Sequence, residues 1–107
     1  MCRAVWVTVV GASDDAAKRI RRALGVEAQV VLVTTDASDE SIRTTQTDAV
    51  VIDGDAPGAR GLAAELASAG RAILWVGEDA PPDAHHASAQ RDDLESALTR
   101  ALLARKG

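Results

Sequence analysis

Residues 49–61 read AVVIDGDAPGARG, a short apolar run that ends in an acid and continues into a loop rich in glycine. A β-branched run bounded by turn residues predicts a buried parallel strand, with Asp53 at its carboxyl end. In open α/β sheets, sites are built at the edge where the strands have their carboxyl ends. This stretch therefore predicts both a fold class and the position of a candidate site.

On both sides of this stretch, apolar runs alternate with helical patterns. Strands are predicted over residues 3–10, 28–33, 49–53 and 72–76, and a closing helix over residues 92–105. This order predicts a flavodoxin-like α/β fold, a doubly wound parallel sheet with the strand order 2-1-3-4. Residues 77–91 hold two adjacent prolines and no aliphatic side chain larger than alanine, so we expect an irregular loop in place of a fourth helix. A short fifth strand near residues 87–90 stays an open alternative.

Length and composition limit the classes of protein that this chain can represent. A chain of 107 residues fits one domain, and 47% hydrophobic with 26% charged residues excludes a disordered tail and a membrane protein. The net charge of −4 argues against direct binding of nucleic acid, which needs a basic surface. The single cysteine, Cys2, excludes an intrachain disulfide and a zinc site made of cysteines. Because no signal-like or membrane-spanning segment is found, we expect a cytoplasmic protein that does not bind membranes.

The loop after Asp53 has the spacing of a known family. Pro57, Gly58 and Gly61 follow the acid at the fourth, fifth and eighth positions, and residues 47–49 read Thr-Asp-Ala before the strand. The stretch resembles the third strand and the following loop of response-regulator receiver domains. The resemblance implies the receiver fold over residues 1–107 and a signalling role without enzymatic activity. It also implies a kinase or an output domain as a partner.

The resemblance further implies that Asp53 is the phospho-accepting residue, but the other pocket functions of the family are not matched. Receivers hold Mg²⁺ with two acids directly after the first strand, where this sequence has Gly11 and Ala12. The hydroxyl residue that follows the fourth strand is replaced by Gly77, and the lysine that closes the pocket has no counterpart. This pattern is similar to atypical receivers, or pseudo-receivers, which act without phosphorylation. We therefore expect no cofactor.

Two other functions stay open at this stage. The chain can be a working phospho-acceptor, in which Asp53, Asp55, Asp14 and Asp15 together bind Mg²⁺. It can also be a small flavodoxin-like enzyme or ligand-binding module with a site at the same strand edge.

The sequence also predicts surfaces for protein contacts. Without a fourth helix, we expect the flank of the strand over residues 73–76 to meet water and to be covered by a second copy of the chain. The first helix carries a basic face that suits a signalling partner. The predicted interaction surface comprises Trp75, Leu98, Leu102, Leu103, Lys18 and Arg22.

Overall fold

The computed structural model describes residues 5–24, 28–82, 84–88 and 90–106. The strands are β1 (Val5–Val10), β2 (Ala28–Thr34), β3 (Ala49–Asp53), β4 (Ile73–Val76) and β5 (His85–Ala87). The helices are α1 (Asp14–Ala23), α2 (Glu40–Thr44), α3 (Ala59–Ser68) and α4 (Arg91–Lys106). All five strands form one parallel sheet in the order β2-β1-β3-β4-β5, which confirms the predicted fold. Residues 3–4 of the predicted first strand and Cys2 lie outside the described residues.

Helices cover both faces of the sheet, as the nearly continuous apolar runs of the central strands require. On one face, α1 and α4 cover a cluster that includes Val7, Val9, Ile20, Val51, Leu74, Leu94 and Ala101. On the other face, α2 and α3 cover a cluster that includes Val10, Ile42, Val50, Ile52, Leu62, Leu66 and Ile73. Successive residues of β1 and β3 alternate between these clusters, because side chains of a strand point to opposite faces in turn. Of the helices that the structure describes, none has the length and apolar character needed to cross a membrane.

The helix α2 is short because residues 36–46 are mostly polar and contain one large apolar side chain, Ile42, which is fully buried. Its first turn is capped by the Asp39 carboxylate, which accepts a hydrogen bond from the Ser41 N–H at 2.9 Å. This hydrogen bond lowers the pKa of Asp39 below its usual value. A helix of five residues covers little of its sheet face, and Trp6 on that face is 51% exposed.

The fourth helix is absent from the described residues between β4 and β5, as the sequence predicted. The expected consequence, an uncovered flank of β4, is wrong. β5 pairs with β4 along its length and makes β4 an internal strand, so residues 73–76 are all buried. The irregular segment is also shorter than predicted, because β5 occupies residues 85–87 and α4 begins at Arg91.

The indole of Trp75 occupies the space over β4 that a fourth helix would cover. It is 2% exposed, and its Nε1 donates a hydrogen bond to the Glu78 carbonyl oxygen at 2.9 Å. The Arg60 guanidinium lies over the ring, 5.6 Å from its centroid, and also donates a hydrogen bond to the Asp79 carbonyl oxygen. These contacts hold the loop after β4 against the sheet. The cation over the indole stabilises the fold beyond the contribution of the buried apolar area.

Replacing Trp75 by alanine should strongly destabilise the domain. We expect Trp75→Ala to lower the free energy of unfolding by about 3–5 kcal/mol, because it removes a buried indole and leaves a cavity. The matched control is Trp6→Ala, since Trp6 is 51% exposed and should cost much less. Urea unfolding followed by far-UV circular dichroism measures both variants. Equal losses would contradict the role assigned to Trp75.

Candidate functional site

The candidate site lies where β1, β3 and β4 end. Asp53 is the last residue of β3 and pairs with Val76, the last residue of β4. β1 lies on the other side of β3, and Gly11 and Ala12 follow its last residue. The carboxyl ends of three neighbouring parallel strands therefore meet at one edge, as the sequence predicted.

The carboxylate of Asp53 connects the loops after β1 and β3. Its Oδ2 accepts a hydrogen bond from the Ala12 N–H at 3.2 Å, and its Oδ1 accepts one from the Asp55 N–H at 3.0 Å. The residue is only 8% exposed. No cationic side chain among the described residues forms a salt bridge with it. Among the described residues, two backbone N–H groups therefore stabilise this carboxylate, and the same hydrogen bonds hold the two loops together.

Gly11 leaves no room for a side chain at the end of β1. A Cβ atom built on Gly11 would lie 2.8 Å from both the Cβ and the backbone nitrogen of Ala17 in α1. The Gly11 N–H donates a hydrogen bond to the Thr34 carbonyl oxygen at 2.9 Å, which holds this backbone beside β2. An acid at this position would therefore require a shift of α1 away from the sheet.

The end of β4 is equally unsuited to carry a hydroxyl side chain. Gly77 has a φ of +129°, which non-glycine residues rarely adopt. A Cβ atom on the neighbouring Gly54 would lie 2.8 Å from Nε1 of Trp75, so this turn also accepts only glycine unless the indole moves. Close backbone packing thus fills this end of the sheet.

The structure does not bring the four predicted metal ligands together. Asp14 and Asp15 are exposed in the first turn of α1, where Ser13 caps the helix and the dipole favours acids. Asp55 is exposed after β3, whereas Asp53 is buried. Within the described ranges, no three His, Cys, Asp or Glu residues are grouped so that they could hold a metal ion.

The predicted interaction residues divide into core and surface. Trp75 and Leu98 are buried and cannot form an exposed patch, and Leu102 is partly buried against the cluster under α1 and α4. The loop before β5 covers Trp75, and Leu98 packs with Leu94 and Ala101 in the cluster between α4 and the sheet. Lys18 and Arg22 are exposed on α1, and Leu103 is 65% exposed on α4.

Sequence reasoning missed the packing of Trp75 between Gly54 and Arg60. These residues belong to three different segments, and only the pairing of β3 with β4 brings them together. The one available signal was a large aromatic residue in a chain whose other core residues are mostly alanine, valine and leucine.

Two glycine-to-alanine substitutions test the packing at the end of β1. Gly11→Ala should lower the free energy of unfolding by about 1–3 kcal/mol, because the new methyl group overlaps Ala17. Gly61→Ala is the matched control, since nothing lies within 4 Å of its Cβ position in α3 and alanine favours the helix by about 0.5–1 kcal/mol. Urea unfolding compares the two variants. A Gly11→Ala variant as stable as the parent would show that α1 moves freely away from β1.

No family model matches the sequence, and no curated protein matches it. Solved structures of similar shape exist. A BeF3-activated DrrB receiver domain superposes with a TM-score of 0.73 and 12% identity, over 94% of this chain and 99% of that chain. The phosphorylated cyanobacterial phytochrome response regulator RcpA superposes with a TM-score of 0.57 and 14% identity, over 97% of this chain and 93% of that chain. The chain therefore has the fold of response-regulator receiver domains.

Proposed function

We propose that this chain is a receiver-like signalling domain that acts through protein contacts, without phosphorylation of Asp53 and without enzymatic activity. The observation that carries the proposal is the contact between Gly11 and α1, which leaves no space for a side chain at the first of the two positions where receivers carry their acids. The fold supports the signalling role, since the similar solved structures are receiver domains. We place the protein in the cytoplasm as part of the same proposal.

The chemistry of phosphoryl transfer explains why this contact matters. Phosphoryl transfer to a carboxylate brings negative oxygens together, and a metal ion or fixed cations must offset their charge. Around Asp53 the described residues offer two backbone N–H groups and no salt bridge. Without a metal to offset this charge, the transition state should lie several kcal/mol higher than in a complete pocket.

A domain that is not switched by phosphate must signal through surfaces that are always present. The exposed side of α1 carries Lys18, Arg19 and Arg22, and this basic face suits an acidic surface on a kinase or an output domain. Self-association through a second copy of the chain is the other route we propose.

Treatment with a small phosphodonor tests the proposal. After incubation with acetyl phosphate and Mg²⁺, we expect the intact mass of the protein to stay unchanged, because the charge on the transferred group is not offset. A receiver with a complete acidic pocket, treated in parallel, serves as the positive control. A mass increase of one phosphate that disappears in Asp53→Asn would overturn the proposal.

The rival function, a phospho-acceptor that uses Mg²⁺, keeps some support from the position of Asp53 at the end of β3. Because the Trp75 indole lies against Gly54, directly after Asp53, its fluorescence reports on ion binding there. In a Trp6→Phe background, we expect no saturable change at low-millimolar Mg²⁺. A saturable change that is lost in Asp53→Ala would favour the rival.

The third function, a ligand-binding module or enzyme, stays a hypothesis.

A further inference from the structure

The four helices that the structure describes all run in one direction across the sheet. Each follows the carboxyl end of a strand, and all five strands are parallel, so every helix starts at the carboxyl end of the sheet and runs toward the amino end. The positive ends of the helix dipoles therefore lie together at the carboxyl end, where acidic residues are favoured. The negative ends lie at the amino end, where basic residues are favoured.

Acidic residues occupy the first turns of three of these helices. Asp14 and Asp15 begin α1, Glu40 begins α2, and Asp92 and Asp93 follow the first residue of α4. All five are exposed. Each acid stabilises its own helix through the dipole, but the common direction of the helices collects these charges at one end of the molecule.

The loops at the same end carry further acids that no helix dipole explains. Asp55 follows β3, and Glu78 and Asp79 follow β4; all three are exposed. A Cβ atom built on Gly77 would lie 3.8 Å from the Cα of Gly54, so the loops that carry Asp55 and Glu78 run side by side. We call the exposed acids of these loops and of the helix first turns the acidic end.

Two arginines lie among these acids. The Arg60 guanidinium lies over the Trp75 ring and donates a hydrogen bond to the Asp79 carbonyl oxygen, and Arg91 is the first residue of α4. The exposed acids outnumber these two cations, so the acidic end carries an excess of negative charge. Because these acids repel one another, a cationic surface placed against them would lower their electrostatic energy.

The amino end of the sheet has the opposite charge. Arg19, Arg21 and Arg22 are exposed in the last two turns of α1, and Arg100 is exposed in the second half of α4. These four arginines are called the basic end. Asp48 also lies at the amino end, where its carboxylate accepts a hydrogen bond from a backbone N–H of β1 at 2.8 Å.

The two ends are too far apart to neutralise one another within one copy. The ten residues of α1 span about 15 Å, and the six residues of β1 span about 20 Å. Charges in water are screened over about 10 Å at 0.1 M salt. Each end therefore attracts an opposite charge from outside the molecule.

We propose that copies of this chain associate head to tail, with the basic end of one copy against the acidic end of the next. This inference rests on the self-association in the proposed function and names its two surfaces. The arginines of α1 in one copy would then lie at the end of the neighbouring sheet where Asp53 ends β3.

A second copy suits this contact because each copy carries both surfaces, at opposite ends of the strand direction. A shift along the strands brings unlike ends together. A two-fold axis through either end would instead place like charges opposite each other, which electrostatic repulsion disfavours. The contact is therefore heterologous, and a heterologous contact that does not close on itself gives an open chain of copies.

Salt dependence is the first test of this contact. Single surface ion pairs are weak, so the association must use several at once and must weaken as salt screens them. In sedimentation velocity at about 20 mM salt, we expect the average size to grow with concentration beyond a dimer, up to about 100 μM protein. At about 1 M salt, where screening acts within about 3 Å, we expect monomers.

Three results of this experiment would overturn the proposal. A parent that stays monomeric at low salt has no such contact. Growth that stops at a dimer indicates a two-fold contact between like surfaces. Association that persists at about 1 M salt indicates that apolar surface drives it.

Charge reversal at one end at a time tests the two surfaces. The acidic-end variant carries Asp55→Lys and Glu78→Lys, and the basic-end variant carries Arg21→Glu and Arg22→Glu. Each alone should weaken the association about tenfold or more, because every contact then opposes like charges. The control variant carries Ala64→Glu and Thr99→Glu, both exposed and midway along α3 and α4, and should associate like the parent.

A mixture of the two reversed variants gives the sharpest result. The basic-end variant keeps its acidic end, and the acidic-end variant keeps its basic end, so one parental contact can form between them. We expect a one-to-one heterodimer that does not grow, because both outer surfaces are reversed. A mixture that stays monomeric, or one that grows beyond the heterodimer, would contradict the assigned surfaces.

The mixture also separates a lost contact from a damaged fold, since two misfolded variants would not form a defined complex. Circular dichroism of each variant checks the fold independently. The phosphodonor test measures the mass of single chains and does not depend on association. Failure of the head-to-tail contact and failure of the proposed function are therefore distinguishable.

Discussion

A parallel sheet must be covered on both faces, and in this chain Trp75 meets that requirement where a helix is absent. One indole cannot bury as much sheet as a helix, so it is supported from several directions. Arg60 lies over its ring, and the loop after β4 accepts its hydrogen bond. β5 pairs with β4 on the outer side. Gly54 and Arg60 are constrained by the need to keep this large aromatic side chain buried under a short loop.

The close approach of backbones at the strand ends is one such feature. Gly54 must lack a side chain because the indole lies against it, and Gly11 must lack one because α1 begins directly above it. These contacts stabilise the domain through close packing at the carboxyl ends of the strands. Asp53 remains at the centre of this edge, but its carboxylate is bound by the backbone of both loops. The carboxylate of Asp53 therefore has a structural role, because it joins the loops after β1 and β3.

The two edges of the sheet are built differently. At one edge, β5 and the loop before it protect β4 with few residues. At the other edge, the apolar strand β2 carries no blocking charge, and the flank of α1 beside it has separated negative and positive ends.

The sequence by itself determined the positions of β1 to β4, the place of Asp53 at the end of β3 and the two small residues that follow β1, because each depends on neighbouring residues in the chain. Alternating apolar runs and glycine turns carry that information locally. The tertiary structure alone decided that Trp75 and Leu98 belong to the core and that β5 forms over residues 85–87. These outcomes rest on contacts between segments distant in the chain. The three residues of β5 have no strand pattern of their own, and pairing with β4 supplies the hydrogen bonds that make them a strand.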